Sequence, residues 1–403
     1  IVRAGRKGIY VKQEKLRFYP FETLAAHLVG FVGASSKDDA YKGRYGAEAA
    51  FEKELSGVSG SVQGDKIVEA LHGADIVLTI DRNIQARAEE ILEQLMERHG
   101  AAGGTVIVME PGSGRIRALA NAPTFNPNRY REYAIGTFLN PAVEAVYEPG
   151  SVLKVFTLAS GFDTHAFTPE TTFVDTGSLT INGKTITNWD KKVYGVVSMR
   201  DVIEYSINTG AAFAERLIGH KKFLEYLVRF GLNERSGVLL PGEVKGSLRN
   251  LSAGAEEINF ATASFGQGIS VTPLALTAAL SVIANGGVLM QPIIRADEEP
   301  VVVRRVISRE AARTVTDIMT SSVKRNVVAN ITNYRIAGKT GTAQVPNVKG
   351  GGYTDEFIHS YAGFAPASRP RFAILVKLDK PKGAPLAGAT VAPAFRELTE
   401  FIM

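Results

Sequence analysis

Residues 148–154 of this chain read Glu-Pro-Gly-Ser-Val-Leu-Lys. Pro149 and Gly150 predict a turn, and the apolar run that follows Ser151 predicts a buried helix beginning at this turn. Positions i and i+3 of a helix share one face, so the Lys154 amine is expected beside the Ser151 hydroxyl. A serine followed by a lysine one turn later is typical of a nucleophile beside its base.

Two further motifs follow in the chain, Ser206-Ile207-Asn208 and Lys339-Thr340-Gly341-Thr342. In this order the three motifs describe an acyl-transfer site, in which the second and third supply a proton relay and a substrate clamp. The first motif alone is weak evidence for such a site, because a chain of this length contains about one or two Ser-x-x-Lys matches by chance. A second match does occur at 321–324, within a predicted amphipathic helix over residues 309–324, where it indicates a solvated helix face.

The predicted position of Ser151, in the first turn of a helix, has chemical consequences. Backbone N–H groups lack helical partners there, so the N–H of Ser151 is a candidate donor to an oxyanion. Lys154 can act as a base only if burial or a neighbouring cation lowers its pKa well below the usual value of about 10.4. Lys339 is the candidate for that cation.

Several other classes of site are excluded by spacing and composition. Gly338-Lys339-Thr340 and Gly183-Lys184-Thr185 both resemble the end of a phosphate-binding loop, but Asn333 and Ser178 stand where that loop needs a glycine. The chain has no Gly-x-Ser-x-Gly sequence and no cysteine, and its six histidines are scattered without an i, i+4 pair. We therefore expect neither a metal nor a cofactor.

Composition is that of an ordinary globular protein. The 403 residues are 45% hydrophobic and 22% charged, which allows a large core and more than one domain. The net charge of +5 fits a surface facing anionic envelope polymers or lipid headgroups, or simply scattered solvated side chains, and nothing resembles a nucleic-acid module. No apolar run is long enough to cross a bilayer, but the chain begins at Ile1 and not at methionine. We expect a truncated piece of a longer protein, whose membrane segment could lie elsewhere.

The chain is predicted to contain two units. Residues 1–76 are rich in glycine and short segments, with one helix-like stretch at 45–55, and are interpreted as an appended module. Residues 77–403 form the second unit, an α+β domain whose sheet joins segments far apart in sequence, with a cleft between sheet and helices. Its predicted elements are a helix from Asp81 to Gly100, a hairpin over 104–109 and 115–120, a mainly helical part over 140–330, strands over 336–345, 360–364 and 371–378, and a helix over 393–402. The stretch 346–355 is predicted to be either a mobile loop at the cleft edge or a plain hairpin connection. Trp189 is predicted to lie in the core.

The three motifs resemble those of the penicillin-recognising serine acyltransferases, and their flanks narrow the resemblance to class B penicillin-binding proteins. It covers nearly the whole chain and implies an antiparallel sheet flanked by helices, with an all-helical subregion, preceded by a non-catalytic pedestal. The chain departs from the family pattern at two places: it has Glu22 where the family frequently has glycine, and it lacks the usual double glycine before Ala392-Pro393. The matching flanks are Arg17-Phe18-Tyr19-Pro20, Gly43-Arg44-Tyr45-Gly46-Ala47-Glu48, Leu55, Gly57, Thr79-Ile80-Asp81, Ala122-Pro123-Thr124-Phe125-Asn126-Pro127-Asn128, Ser264-Phe265-Gly266-Gln267-Gly268 and Gly363-Phe364-Ala365-Pro366.

The resemblance also implies an activity and a role for each motif residue. Ser151 would attack the penultimate D-Ala carbonyl of a peptidoglycan stem peptide, release the terminal D-Ala and pass the acyl group to an acceptor amine, and β-lactams would acylate the same serine. The implied roles are base for Lys154, proton relay for Ser206, peptide-amide contact for Asn208, polar network for Lys339, carboxylate binding for Thr340 and Thr342, close strand approach for Gly341, and oxyanion hole for the N–H groups of Ser151 and Thr342.

Partners and location follow from the same resemblance. They are stem peptides or a lipid-linked precursor, β-lactams, a glycosyltransferase and the division or elongation machinery, at the outer face of a bacterial plasma membrane. Asparagine at position 208 resembles the division-type proteins more than the elongation-type ones. Three alternatives use the same motifs: a β-lactamase, a D,D-carboxypeptidase in which water replaces the acceptor amine, and a non-catalytic drug-sensing or scaffold domain.

Overall fold

The structure is a computed structural model that describes residues 17–34, 41–58, 60–63, 66–347, 350–384 and 386–403. The first sixteen residues of the predicted N-terminal module lie outside this description. Among the described residues, we find no helix with both the length and the apolar character needed to span a membrane.

The N-terminal part consists of short elements. The helix expected over 45–55 is divided in two at Phe51, whose buried side chain packs into the main core. Tyr19 and Phe31 pack with Phe125 and Phe138 of the larger unit in a separate buried aromatic cluster. The elements are α1 (Ala26–Val29), β1 (Val32–Ala34), β2 (Tyr41–Gly43), α2 (Gly46–Ala50), α3 (Glu52–Leu55), β3 (Ser61–Gln63) and β4 (Lys66–Val68).

The beginning of the larger unit agrees with the sequence prediction. Helix α4 (Arg82–His99) starts after Asp81, whose side chain accepts hydrogen bonds from the backbone N–H groups of Asn83 and Ile84 at 2.9 and 3.1 Å. It ends at Gly100, which has a positive φ of 50°. Strands β5 (Gly103–Met109) and β6 (Ile116–Ala122) then form the predicted hairpin.

The middle of the chain is mainly helical, as expected, but also contains six short strands. These pair as β7–β10, β8–β9 and β11–β12, and the strands are too short and too exposed to give a clear apolar alternation. The elements are α5 (Pro141–Glu144), α6 (Lys154–Asp163), β7 (Thr172–Asp175), β8 (Ser178–Ile181), β9 (Lys184–Thr187), β10 (Gly195–Ser198), α7 (Met199–Glu204), α8 (Asn208–Ile218), α9 (His220–Arg229), α10 (Glu257–Ala263), α11 (Pro273–Ala284), β11 (Val288–Met290), β12 (Val302–Arg305) and α12 (Arg309–Arg325).

The C-terminal part returns to the sheet with β13 (Ala337–Pro346), β14 (Tyr353–Ala365) and β15 (Phe372–Asp379), followed by α13 (Ala387–Ile402). Strand β14 begins seven residues before the predicted start at residue 360, because its first half is polar and half-exposed. The stretch 346–355 connects two paired strands as a hairpin, with Pro346 opposite Tyr353, and residues 348–349 of it lie outside the description.

One five-stranded antiparallel sheet, in the order β13-β14-β15-β5-β6, holds the unit together. Helices α4 and α13 cover one face, and the helical middle of the chain, including α6 and α11, covers the other. Strand β13 is the sheet edge, and residues 150–153 pack against it. The turn that contains Ser151 therefore lies beside the strand that contains Lys339.

Candidate active site

Ser151 lies in a single turn of 3₁₀ helix, Gly150–Leu153, that leads into α6. The sequence predicts the first turn of an α-helix, and the tighter turn preserves the expected contact because residues i and i+3 are eclipsed in a 3₁₀ helix. The Lys154 Nζ is 3.1 Å from the Ser151 Oγ. Gly150 has a φ of +55°, and a Cβ there would lie 3.1 Å from the Thr342 carbonyl oxygen. A glycine therefore allows the nucleophile turn to approach β13 closely.

The Lys154 amine is fully buried among four oxygen atoms. It is 2.6 Å from the Ser206 carbonyl oxygen, 2.7 Å from Asn208 Oδ1 and 3.1 Å from the Ser206 Oγ, in addition to Ser151. The Asn208 amide is oriented by its Nδ2, which donates to the Thr187 carbonyl at 2.9 Å. Two of the four neighbours are carbonyl oxygens that can only accept, so they take two N–H groups of Lys154. A neutral amine then keeps its lone pair for a hydroxyl proton.

The lowered pKa of Lys154 favours the neutral amine that a base requires. Burial, and secondly the nearby Lys339, hold the pKa of Lys154 well below its usual value. Lys339 is buried as well, and burial lowers its pKa to about 7. The neighbouring-cation effect expected from the sequence is thus present, but desolvation is the larger cause.

Ser206 connects the two lysines. Its Oγ is 3.1 Å from the Lys154 Nζ and accepts a hydrogen bond from the Lys339 Nζ at 3.0 Å. The residue lies in the turn between α7 and α8 with a φ of +60°, a left-handed conformation that costs a non-glycine residue roughly 1–3 kcal/mol. In this conformation both its carbonyl and its hydroxyl contact Lys154. The sequence predicts a mainly helical region here but gives no sign of this backbone conformation.

The third motif lies on the sheet edge. Along β13, Thr340 and Thr342 are two residues apart and share one face of the strand, while Lys339 and Gly341 share the other. A Cβ at Gly341 would lie 2.8 Å from the Pro149 carbonyl oxygen and 2.4 Å from the Ser360 Oγ, so a glycine is needed for contact with the nucleophile turn. The Thr342 hydroxyl accepts a hydrogen bond from the Ala387 N–H at 3.2 Å, at the start of α13.

The chance match at 321–324 differs from the first motif in its surroundings. It lies in the last turn of α12, where Ser321 is half-buried, Ser322 is buried and the Lys324 side chain is exposed. Within the ranges that the structure describes, no group of three histidine, aspartate or glutamate side chains could hold a metal ion.

The sequence missed several residues that surround the site. Trp189 was expected in the core, but 53% of its surface is exposed, and its indole N–H donates to the Tyr205 carbonyl at 3.2 Å, directly before Ser206. The prediction was wrong because its polar neighbours in Asn188-Trp189-Asp190 belong to a loop beside the second motif. Glu148 is buried and accepts hydrogen bonds from the Gly268 N–H and the Tyr353 hydroxyl, both at 3.0 Å. Burial raises the pKa of Glu148.

The two buried lysines make the stability of the fold depend on pH. An unfolded lysine has a pKa of about 10.4, so between about pH 7 and that value the unfolded chain binds more protons than the folded one, and the free energy of unfolding rises with pH. We expect Lys339→Met to show a smaller rise than the wild type in urea unfolding measured from about pH 7 to about pH 9.5. Lys324→Met, at an exposed position, is the control. An equal rise in Lys339→Met and wild type would contradict the prediction.

The architecture and the three adjacent motifs define a penicillin-recognising protein. Residues 104–400 match the family described as penicillin-binding protein transpeptidase domain, and residues 3–78 match the penicillin-binding protein dimerisation domain. The chain belongs to the class B penicillin-binding proteins.

Individual relatives agree with this membership. The chain is 31% identical to stage V sporulation protein D of Bacillus subtilis, over 96% of this chain and 63% of that protein. It is also 31% identical to the peptidoglycan D,D-transpeptidase FtsI of Escherichia coli, over 96% of this chain and 67% of that protein. A solved structure of penicillin-binding protein 3 from Mycobacterium tuberculosis, complexed with aztreonam, superposes with a TM-score of 0.85 at 31% identity, covering 96% of this chain and 90% of that one. The chain spans 62–65% of the length of the sporulation protein and of the penicillin-binding proteins PbpB of Mycolicibacterium smegmatis and Mycobacterium tuberculosis.

Proposed function

We propose that this chain carries the catalytic part of a peptidoglycan D,D-transpeptidase that acts through an acyl-enzyme on Ser151. The observation that carries the proposal is the contact between the buried Lys154 amine and the Ser151 hydroxyl at 3.1 Å, with two carbonyl oxygens occupying the amine N–H groups. The name of the Escherichia coli relative and the aztreonam complex of the structural neighbour support it.

The acylation step follows from this geometry. The Lys154 amine accepts the Ser151 hydroxyl proton as the Oγ attacks the penultimate D-Ala carbonyl carbon, and the N–H groups of Ser151 and Thr342 receive the oxyanion. The C–N bond to the terminal D-Ala then breaks, and its nitrogen takes a proton through the Ser206 hydroxyl, which contacts both lysines.

Substrate binding and the second half-reaction involve the opposite wall of the cleft. Thr340 and Thr342 bind the terminal carboxylate, with the Lys339 charge close by, while Asn208 contacts the peptide amide and Gly341 keeps β13 close to the turn that contains Ser151. An acceptor amine then attacks the carbonyl carbon of the Ser151 ester and forms the new amide, the bond between this carbon and the Ser151 Oγ breaks, and a proton of the amine passes through Lys154 to the Oγ. With a β-lactam the leaving nitrogen stays tethered to the acyl group, so it remains in the site and blocks the acceptor.

The biological setting is part of the same proposal. Residues 1–76 form a pedestal and residues 77–403 the transpeptidase domain, in line with the two family matches. Asn208 and the similarity to FtsI support a division-type enzyme acting outside the bacterial plasma membrane. Its partners are then a glycosyltransferase and other division proteins, with lipid-linked precursor or stem peptides as substrates.

Labelling the wild-type chain tests the proposed function. Intact mass spectrometry after incubation with a fluorescent penicillin is expected to show one adduct per chain that persists for hours, and peptide mapping is expected to locate it at Ser151. A donor peptide ending in D-Ala-D-Ala, supplied with an amine acceptor, is expected to release D-Ala and form the new amide. Absence of an adduct, rapid drug turnover or exclusive hydrolysis of the donor would each contradict the proposal, the last two in favour of a β-lactamase or a carboxypeptidase.

A further inference from the structure

Helix α8, which carries Asn208 in its first turn, has no capping side chain in its own sequence. Its N-cap residue is Ile207, which cannot accept a hydrogen bond from the first N–H groups of the helix. The Asn188 Oδ1 takes this role from a distant loop, since it accepts from the Asn208 N–H at 3.1 Å and lies 3.4 Å from the Thr209 nitrogen. The start of the helix is therefore fixed by residue 188.

The neighbours of Asn188 contact the same motif on both sides of Ser206. The Thr187 carbonyl accepts from the Asn208 Nδ2 at 2.9 Å, and the Trp189 indole donates to the Tyr205 carbonyl at 3.2 Å. Three consecutive residues, 187–189, thus bind the backbone before Ser206 and the helix after it. We call them the bracing segment.

The carboxylate of Asp175 binds the bracing segment through Asn188. Asp175 is 1% exposed, and its carboxylate accepts from the Asn188 Nδ2 at 3.0 Å and from the Thr209 hydroxyl at 2.5 Å. The backbone N–H groups of Tyr194 and Gly177 donate to it at 2.8 and 3.1 Å. These four donors outweigh the effect of burial and lower the pKa of Asp175, which keeps the carboxylate ionised at neutral pH.

We propose that Asp175 and Asn188 are positioning residues for acylation: together they hold the bracing segment so that Ser206 and Asn208 present their carbonyl oxygens to Lys154. The inference rests on the proposed function, because it assigns Lys154 the role of base. Those two oxygens direct the Lys154 N–H groups, so a shift of the bracing segment turns the amine lone pair away from Ser151. Neither positioning residue needs to touch the substrate.

Asp175→Asn tests the network with little change of volume. The side-chain nitrogen introduced at position 175 must replace one of the two carboxylate oxygens: the one that accepts from Thr209 and Gly177, or the one that accepts from Asn188 and Tyr194. In either place it points its N–H groups at a backbone N–H group, which then has no acceptor. We expect the rate of acylation by a fluorescent penicillin at saturation to fall up to about 100-fold, because a displacement of about 1 Å at a catalytic group can cost that much. The half-saturating drug concentration is expected to change much less, because the clamp on β13 is untouched.

A reciprocal exchange separates positioning from general destabilisation. Asn188→Asp places two carboxylates against each other and is expected to slow acylation at least as much as Asp175→Asn. The double variant D175N/N188D restores one amide and one carboxylate to the pair. We expect it to acylate faster than N188D alone, which is a direct sign of coupling between the two residues.

Asp163→Asn is the matched control. This carboxylate also joins separate segments, accepting from the Tyr226 hydroxyl at 2.5 Å and the Ser308 N–H at 2.7 Å, but it lies at the far end of α6 from Lys154. Thermal unfolding is measured for every variant. The inference alone would be overturned if Asp175→Asn acylated at the wild-type rate. It would also be overturned if Asp163→Asn, with the same melting temperature as Asp175→Asn, acylated equally slowly. A wild-type chain that takes no label would overturn the proposed function itself.

Discussion

Ser151→Ala is expected to abolish the covalent penicillin adduct, whereas Ser321→Ala keeps it at one per chain. Both serines begin a Ser-x-x-Lys sequence, so the pair tests whether surroundings or pattern select the nucleophile. Ser151 has a buried amine at 3.1 Å, whereas the lysine of the second match is exposed on α12. A hydroxyl without an adjacent base is a weak nucleophile at neutral pH.

The readout is the intact mass and the mapped site of the adduct. Removing the Ser151 hydroxyl leaves the Lys154 N–H groups bonded to Ser206 and Asn208, so the fold is expected to survive with a stability change of about 1 kcal/mol. Circular dichroism and thermal unfolding check this. A persistent adduct in Ser151→Ala would place the nucleophile elsewhere, with Ser206 next to be examined, and loss of the adduct in Ser321→Ala would contradict the assignment as a whole.

The sequence predicts those parts of the site that depend on local spacing. Three residues of a tight helical turn are enough to bring Lys154 to Ser151, whether that turn is α or 3₁₀. The same holds for the Asp81 cap of α4, where acceptor and donors are two and three residues apart. Each of these features is decided by neighbours in the chain.

The bracing segment could not be predicted because its contacts are non-local and polar. Asn188 lies 20 residues from the N–H group that it caps, and Asp175 lies 34 residues from the Thr209 hydroxyl. Neither residue belongs to a periodic pattern of apolar residues. Ser206 has a φ of +60°, which serine rarely adopts, so this conformation was not predictable either. The signal that could have directed attention here is the Ile207 at an N-cap position, which needs a partner from elsewhere.

The start of the last helix shows tertiary contacts overriding a local rule. Proline favours the first turn of a helix, so the sequence places the start at Pro393, yet α13 begins at Ala387 and includes the proline. An interior proline costs about 3 kcal/mol. The part of the helix before the proline buries Ala387 and Val391, and burial of Val391 alone contributes roughly 1.5–3 kcal/mol, which offsets most of that cost.

Lys154→Met is expected to slow acylation of Ser151 at saturating drug by about 10²- to 10⁴-fold, the usual contribution of a general base. Methionine has a similar length and is tolerated in a buried helix, so the nucleophile and the clamp on β13 stay in place. The carbonyl oxygens of Ser206 and Asn208 lose a donor, which costs about 1–3 kcal/mol of stability. Lys324→Met, in the chance match, is expected to acylate at the wild-type rate. Stopped-flow fluorescence with a reporter β-lactam measures the rate in each case.

Lys154→Arg then distinguishes a base from a positive charge. Arginine remains protonated at all accessible pH values and offers no lone pair, but it can still donate to the Ser206 and Asn208 carbonyl oxygens. If Lys154 acts as a cation that organises the second motif, arginine recovers much of the rate lost in Lys154→Met. If it acts as the base, Lys154→Arg stays as slow as Lys154→Met, which is the result we expect.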